Sequence, residues 1–306
     1  MKKLLCSFSF LLLCKLVAAQ GCSDAGFCSL DVLKTHSPNK KASSANEVAA
    51  GINVGVGEQS TISLNPYIDY GRRLNARWNF HAKITGTYAS GFLGNTFNAG
   101  DIFLVSSFQP KIKNENITFL AAFKIPLTTS NDKNLNGKPL PLDYQSSLGT
   151  YDLVGGISYL FKKRIDISAG VQIPVINNNK NSFFTDEYSD TRVNNFASTN
   201  LFERKPDALL RLGYFLPIQK QSISIKPNLL FIYHLGDDNY TNRFNTKQAI
   251  TGSNGLTLNA GINLVKTFAN KNELELIAAT PLIVRDVRAD GLTRSAVLNI
   301  QYKVAF

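Results

Sequence analysis

The sequence contains no long apolar run, and this absence excludes a polytopic helical membrane protein. Its mean hydropathy is −0.07, whereas such proteins need several apolar runs of about 20 residues. Charged residues are also scarce, at 18%, against about 25% in an average soluble domain. Apolar residues nevertheless make up 44% of the 306 residues, with 20 Phe and 11 Tyr. A disordered chain is therefore excluded as well, because disorder needs little apolar surface.

Residues that carry most enzyme and metal chemistry are also few. Only three His occur, His36, His81 and His234, and no nucleophile elbow or similar motif marks a Ser or Cys nucleophile. No His or further Cys lies at finger-like spacing from the two Cys near the N-terminus of the expected mature chain, as a zinc site would need. We therefore expect no enzyme activity, no cofactor and no bound metal.

The first twenty residues have the organisation of a secretory signal peptide. Lys2 and Lys3 precede an apolar stretch at 4–14 that is too short to span a membrane. Small residues up to Ala19 then predict cleavage after that position. Loss of residues 1–19 would remove three Lys and no acidic residue, so the net charge would fall from +11 to +8. We expect an exported protein.

The remaining cysteines, Cys22 and Cys28, lie in the predicted N-terminal periplasmic extension at 20–46. In an oxidising compartment a disulfide that closes a small loop is the simplest expectation. Free thiols with a redox use are an alternative. Lipidation of Cys22 is another, although Gln20 is a poor match to the small residue expected before a lipidated Cys.

From about Glu47 onward, segments of roughly ten residues alternate apolar and polar positions, as strands with two different faces do. Segment 99–109 is the least regular, because four apolar residues run together at 102–105. The count predicts about twelve strands, near 48–57, 61–70, 76–88, 99–109, 117–127, 150–161, 165–176, 207–217, 222–235, 256–267, 273–284 and 293–306.

The predicted connections alternate in length. Those after the second, fourth, sixth, eighth and tenth strands are short, and four of the intervening ones are long. This rhythm is typical of an outer-membrane barrel, whose short turns face the periplasm. The predicted long loops are 90–98, 128–149, 177–206 and 236–255.

The C-terminal segment alternates apolar residues and ends on Phe306. This resembles the terminal strand of outer-membrane proteins, in which an aromatic last residue is the signal read by the barrel-assembly machinery. In lipid every backbone polar group must be paired, so such a chain should close on itself. We predict an all-β fold, a transmembrane antiparallel up-and-down β-barrel over 47–306 in the cell outer membrane, in contact with its lipid and lipopolysaccharide.

The polar alternate residues would face the lumen of this barrel. Because both charge signs are present, a salt-bridged lumen that holds the barrel in shape is one interpretation. The other is a selectivity lining that favours anionic solutes through Arg77, Lys83, Lys124 and Arg211. Basic residues are spread over turns and lumen and form no single stripe, so we expect no nucleic-acid partner. The lumen-lining candidates are Asp69, Arg77, His81, Lys83, Lys124, Asp152, Asp166, Arg211, Lys226, Glu275 and Lys303.

Two stretches carry a family resemblance: Ala122-Phe-Lys-Ile-Pro-Leu-Thr, and Gly149-Thr-Tyr-Asp-Leu-Val-Gly-Gly-Ile-Ser-Tyr159. Together they resemble the outer-membrane barrels of the phenol-degradation meta-pathway family, in which an apolar-Pro step ends a strand and a Gly-Thr/Ser-x-Asp step begins the next. Those barrels are similar to the long-chain fatty-acid transporters, and the resemblance implies passage of hydrophobic or aromatic small molecules. This chain differs from the fatty-acid transporters in its fewer strands and in a short N-terminal extension where they have a hatch domain.

These features together predict an outer-membrane channel for passive passage of small solutes, including hydrophobic or aromatic ones. The alternative is a structural or adhesive surface barrel that displays its long loops and transports nothing.

Overall fold

The computed structural model describes residues 45–111, 116–218, 221–291 and 296–306, apart from the side chain of Glu58. The predicted signal peptide, both remaining cysteines and almost all of the predicted extension lie outside these residues. Within the described ranges, no helix is long and apolar enough to cross a membrane. The short 3₁₀ turns are Glu58–Ser60, Leu142–Tyr144, Thr185–Glu187 and Thr191–Asn195.

Fifteen strands form within the described ranges: β1 Asn46–Val56, β2 Ile62–Arg73, β3 Trp78–Gly91, β4 Gly94–Phe108, β5 Ile117–Pro126, β6 Thr150–Phe161, β7 Ile165–Asn177, β8 Asp207–Tyr214, β9 Leu216–Ile218, β10 Ile223–His234, β11 Asn239–Thr241, β12 Lys247–Ala249, β13 Gly255–Thr267, β14 Glu273–Ile283 and β15 Ala296–Ala305. Strands β8 and β9 are two pieces of one wall strand that is interrupted at Phe215, and β11 with β12 forms a separate hairpin inside a loop. The wall therefore has twelve strand positions.

The wall is one closed antiparallel sheet. Each wall strand pairs with its neighbours in chain order, and β15 pairs with β1. The backbone N–H of Asn46 donates to the carbonyl of Phe306, and the N–H of Phe306 donates back. Closure removes the sheet edges that would otherwise expose unpaired backbone groups. The predicted all-β, up-and-down barrel of twelve strands is confirmed.

Side chains alternate between an exposed apolar outer face and a buried polar inner face. In β7, Ile167 and Ile173 are exposed, whereas Asp166, Ser168 and Gln172 are buried. A water-soluble barrel would have the opposite arrangement, so this outer surface is suited to lipid.

The predicted long loop at 90–98 is wrong. Strands β3 and β4 continue through this segment and leave a two-residue turn at Phe92 and Leu93, with Gly94 at a φ of 139°. Backbone pairs such as Tyr88 with Phe97 extend the ladder beyond the alternating apolar pattern. The sequence there is rich in Gly, Asn and Ser, which is typical of a loop. Pairing of the two strands depends on backbone hydrogen bonds, and these do not require alternating apolar side chains that the sequence would reveal.

The other long connections all lie at one end of the barrel, which we call the mouth. The β3–β4 turn at 92–93 and the connection at 57–61 lie at the mouth too. The short turns that follow β2, β4, β6, β9 and β13 lie at the opposite end, with Asn46 and Phe306. In outer-membrane barrels the short turns typically face the periplasm. We call the following segments the mouth loops: 127–149, 178–206, 235–254 and 284–291.

Proline positions coincide with irregularities of the ladder. The β2–β3 register lacks pairs for Asn65 and Pro66, Pro126 ends β5, and a register shift in β6 lies opposite Pro174. Another shift in β13 lies opposite the segment around Pro281. Because Pro has no N–H to donate, these positions are where a ladder can be interrupted at least cost.

Candidate functional site

The lumen is built in layers, because inward-facing positions recur at every second residue of each strand. On β5, Lys124 is the next inward-facing residue after Ala122 and lies closer to the mouth. On β10, His234 holds the same relation to Ile232. A charged layer at the mouth therefore lies directly above an apolar layer.

The charged layer, which we call the mouth cluster, joins wall strands to mouth loops. Its side chains are almost completely buried, with relative exposures of 8% or less. Its members come from β5, β6, β8, β10 and three of the mouth loops: Lys124, Asp152, Arg204, Asp207, His234, Asp238, Arg285 and Asp290.

Arg204 lies at the centre of the mouth cluster. Its guanidinium pairs with Asp207, and its Nη2 is 3.7 Å from Oδ2 of Asp290. Its Nη1 is 3.9 Å from Oδ2 of Asp152, whose same oxygen is 3.0 Å from Nζ of Lys124. One arginine of a mouth loop thus contacts two wall strands and a second mouth loop.

A third mouth loop is attached through His234. Its Nδ1 is 2.6 Å from Oδ1 of Asp207, and its Nε2 is 2.8 Å from Oδ1 of Asp238. The backbone N–H of Lys205 donates to the same Asp238 oxygen at 2.8 Å. Nη1 of Arg285 donates to the carbonyl of Ser253 at 2.7 Å, which links the 284–291 and 235–254 loops.

The charges of the mouth loops are strongly perturbed. Burial opposes ionisation of Asp290, but Arg285 and Arg204 outweigh it and lower the pKa of Asp290 to about 2. Burial also opposes the charge on Arg204, yet Asp207, Asp290 and the other carboxylates hold the pKa of Arg204 above its ordinary value. Burial raises the pKa of Asp238 despite its hydrogen bond to His234. Asp290 and Arg204 therefore remain ionised at neutral pH.

The mouth loops fold inward over this cluster. Residues 140–150 of the first loop are almost entirely buried. Oγ1 of Thr96 donates to the carbonyl of Tyr144 at 2.6 Å, and Oγ of Ser147 donates to Oδ1 of Asp101 at 2.6 Å. Tyr144 also packs with Phe183 and other apolar residues of the mouth. The mouth is thus covered by ordered loops and held by buried charges.

An apolar layer, which we call the belt, lies below the mouth cluster on the inner wall. Its side chains are buried and in mutual contact, and they come from β4, β5, β6, β8 and β10. The irregular run at 102–105 is explained here, because Phe103 and Val105 point inward while Leu104 is exposed outside. The belt consists of Phe103, Val105, Leu120, Ala122, Val154, Leu209, Leu230 and Ile232.

Charged pairs return below the belt. Nζ of Lys226 pairs with buried Asp166, which also accepts a hydrogen bond from Oγ of Ser158 at 3.2 Å. Nζ of Lys303 is 2.9 Å from Glu273 and 3.8 Å from Glu47.

A second group lies on β2 and β3. Nδ1 of His81 is 3.5 Å from Oδ2 of Asp69, and Nζ of Lys83 lies 3.7 Å from the ring centre of Tyr67. Oε1 of Glu275 accepts from Asn263 at 3.3 Å. These contacts favour the interpretation of a salt-bridged lumen.

Two predicted positions, Arg211 and Arg77, lie outside these groups. Arg211 is a partly buried residue of β8, and Arg77 is exposed in the turn that precedes β3. The structure thus brings Lys124 and Asp152 together at the mouth, and Asp166 and Lys226 together below the belt.

Sequence reasoning missed the charged residues of the mouth loops, namely Arg204, Asp238, Arg285 and Asp290. Loops have no periodicity that marks an inward-facing side chain. The one available signal is proximity to a strand end, as in Arg204 and Asp207 on either side of Pro206. Among the described residues, no group of three or more His, Cys, Asp or Glu could hold a metal ion.

No family model matches this sequence, and no curated protein matches it. Two solved structures are similar in fold. An outer-membrane channel from Pseudomonas putida F1 has a TM-score of 0.56 and 15% identity, over 89% of this chain and 100% of that one. The translocator domain of the autotransporter NalP from Neisseria meningitidis has a TM-score of 0.52 and 10% identity, over 92% and 95% respectively. The chain has the closed antiparallel fold of bacterial outer-membrane barrels.

Proposed function

We propose that the protein is an outer-membrane channel for passive passage of small solutes, and that it accepts solutes with hydrophobic or aromatic parts. The observation that carries this proposal is the belt. A barrel that serves only as a scaffold has no need of apolar side chains inside its lumen, where charged pairs hold the wall in shape. The eight belt side chains are 2–7% exposed, so a solute reaches them only when it separates them from one another. Its own apolar area then leaves water against the belt, at about 25 cal/mol per Å².

The structural likeness to a channel from P. putida is consistent with this role, although the autotransporter shares the fold. The same proposal places the protein in the outer membrane, with the mouth outside and no catalytic role. Opening of the mouth loops would admit the solute, which then meets the belt before the polar residues near the periplasmic end.

Liposome swelling tests the proposal with two uncharged solutes, methyl β-glucoside and phenyl β-glucoside. A plain pore passes the smaller methyl compound faster, whereas the belt should favour the phenyl compound. The substitution Leu230→Gln should reduce that preference, and Gly155→Ala on the open outer face serves as the control. Folded barrels that cause no swelling with either solute would contradict the proposal.

A structural or adhesive surface barrel is the second candidate, and two loop tips favour it. Leu135 and Phe244 have relative exposures of 101% and 89%, which is unusual for large apolar side chains unless something binds them. Absence of swelling, together with binding to a surface partner that is lost when both residues are changed to Ser, would support this candidate.

A further inference from the structure

A set of uncharged amides lines the inner wall on the side opposite the belt. The sheet order places β13, β15, β1 and β2 on one arc and the belt strands β4 to β10 on the other. We call Asn53, Asn65, Asn259 and Asn299 the amide track. At the level of the amide track the lumen therefore has one apolar side and one side of neutral hydrogen-bonding groups. The charged residues of this arc, such as Asp69 and Lys303, lie further from the mouth.

Three members of the amide track form a fixed ladder. Asn53 is the register partner of both Asn65 and Asn299. Nδ2 of Asn299 donates to Oδ1 of Asn53 at 2.7 Å and to the hydroxyl of Tyr67 at 2.9 Å. Nδ2 of Asn65 donates to Oγ1 of Thr87 at 2.8 Å. These bonds orient the amides, and Oδ1 of Asn299 has no partner among the described residues.

Several polar atoms on this arc have no hydrogen-bond partner among the described residues. The neutral ones are both amide atoms of Asn259, Oδ1 of Asn299 and Oγ of Ser63, and these side chains are 4%, 6% and 1% exposed. Oδ1 of Asp69, further from the mouth on β2, is a charged one. Buried polar groups are nearly always satisfied in native proteins. Groups left open in this way are suited to bonds with a molecule that enters the lumen.

Asn259 marks the boundary between the two sides. Its register partner on β10 is Leu230 of the belt. A solute at this position can place an apolar face on the belt while its polar group bonds to the amide. An amide both donates and accepts, so it matches a hydroxyl or a carboxamide. It supplies no counter-ion for a buried charge, which is costly to desolvate.

We propose that Asn259 and the amide track bind uncharged hydroxyl or carboxamide groups of amphipathic solutes whose apolar part contacts the belt. This inference rests on the proposed channel function and specifies its solute class. It assigns selectivity to neutral hydrogen bonding, whereas the anion-selective interpretation assigns it to the lysine and arginine side chains.

Planar-bilayer recordings with benzamide and benzoate test the inference. The two probes share a shape and differ in that one is a neutral amide and the other an anion. Benzamide should lower the mean channel current at concentrations where benzoate does not. The substitution Asn259→Leu should raise the half-blocking concentration of benzamide about five- to tenfold, as expected for loss of a bond worth about one kcal/mol or somewhat more.

Matched variants separate binding from folding. Asn259→Leu should unfold at a temperature no lower than the unaltered protein, because the amide has no partner to lose among the described residues. Ser63→Ala is a second and smaller change on the same arc. Asn95→Leu, on the exposed face of β4, should leave the effect of benzamide unchanged.

The outcomes separate the two proposals. A conducting channel in which benzoate blocks as well as benzamide, or in which Asn259→Leu and Ser63→Ala both leave the block unchanged, would overturn this inference alone. Absence of conductance from folded barrels would overturn the channel function and this inference with it.

Discussion

Removal of the Arg204 guanidinium should loosen the mouth while leaving the barrel wall intact. In Arg204→Met the side chain keeps much of its apolar volume but no longer contacts Asp207, Asp290 and Asp152. Deleting one partner of a buried ion pair costs about 3–5 kcal/mol, because the other charge stays buried and uncompensated. Each carboxylate here retains a second cation, so we expect the lower end of that range.

About 3 kcal/mol corresponds to a roughly 100-fold increase in the equilibrium constant for local opening. The assay is amide hydrogen exchange on the reconstituted protein, followed by mass spectrometry of peptides from each segment. Protection in the 178–206 and 284–291 loops should fall by roughly that factor, and protection in the wall strands should not change.

Arg243→Met is the matched control, because Arg243 also joins two mouth loops but its side chain is 49% exposed in pairs with Asp186 and Glu187. Exposed ion pairs contribute little to stability, so the mouth loops of Arg243→Met should be protected from exchange as well as those of the unaltered protein. If Arg204→Met left the loop protection within twofold of the control, the mouth cluster would not be what holds the loops.

Two further predictions concern acid and the wall. The pKa of Asp290 is lowered from 3.8 to about 2, so the ionised carboxylate stabilises the mouth fully above pH 4, and this stabilisation is lost as the pH falls towards 2. Pepsin should therefore cleave the mouth loops much faster at pH 2 than at pH 4, when each rate is divided by the rate for a denatured substrate at the same pH. Equal relative rates at the two pH values would contradict this. Gly51→Ala should lower the free energy of unfolding in urea by about 1–3 kcal/mol, because a Cβ at position 51 would lie 2.5 Å from the Tyr67 ring. In the control Gly155→Ala the new Cβ has no atom within 4 Å, so the stability should not change. Equal urea midpoints for the two variants would refute the close packing of β1 against Tyr67.

The wall could be predicted from the sequence because lipid and lumen impose opposite demands on alternate residues. The predicted strand at 165–176 and the observed Ile165–Asn177 differ by one residue. The prediction of strand boundaries failed at the mouth end of β4, where side chains do not alternate between lipid and lumen. Strand β4 begins at Gly94 and not near residue 99. Its first residues are held by backbone pairing and by hydrogen bonds to the first mouth loop, such as that of Thr96, and show no apolar alternation.

The mouth could not be predicted, because its contacts join residues that are far apart in sequence. Nothing near Arg204 indicates that it meets Asp290, and only the packing of two loops brings them together. The belt did leave a signal, the unbroken apolar run at 102–105. An unbroken apolar run places apolar side chains on both faces of a strand. The inward-facing ones indicate an apolar surface inside the lumen.

Single-channel recording from the refolded chain without residues 1–19 tests the central claim most directly. Folding is established beforehand by the change in gel migration on boiling. The account predicts discrete current steps for the unaltered protein, and larger or more frequent ones for Arg204→Met, in which the mouth is loosened. Folded barrels of both proteins that give no current steps would contradict it.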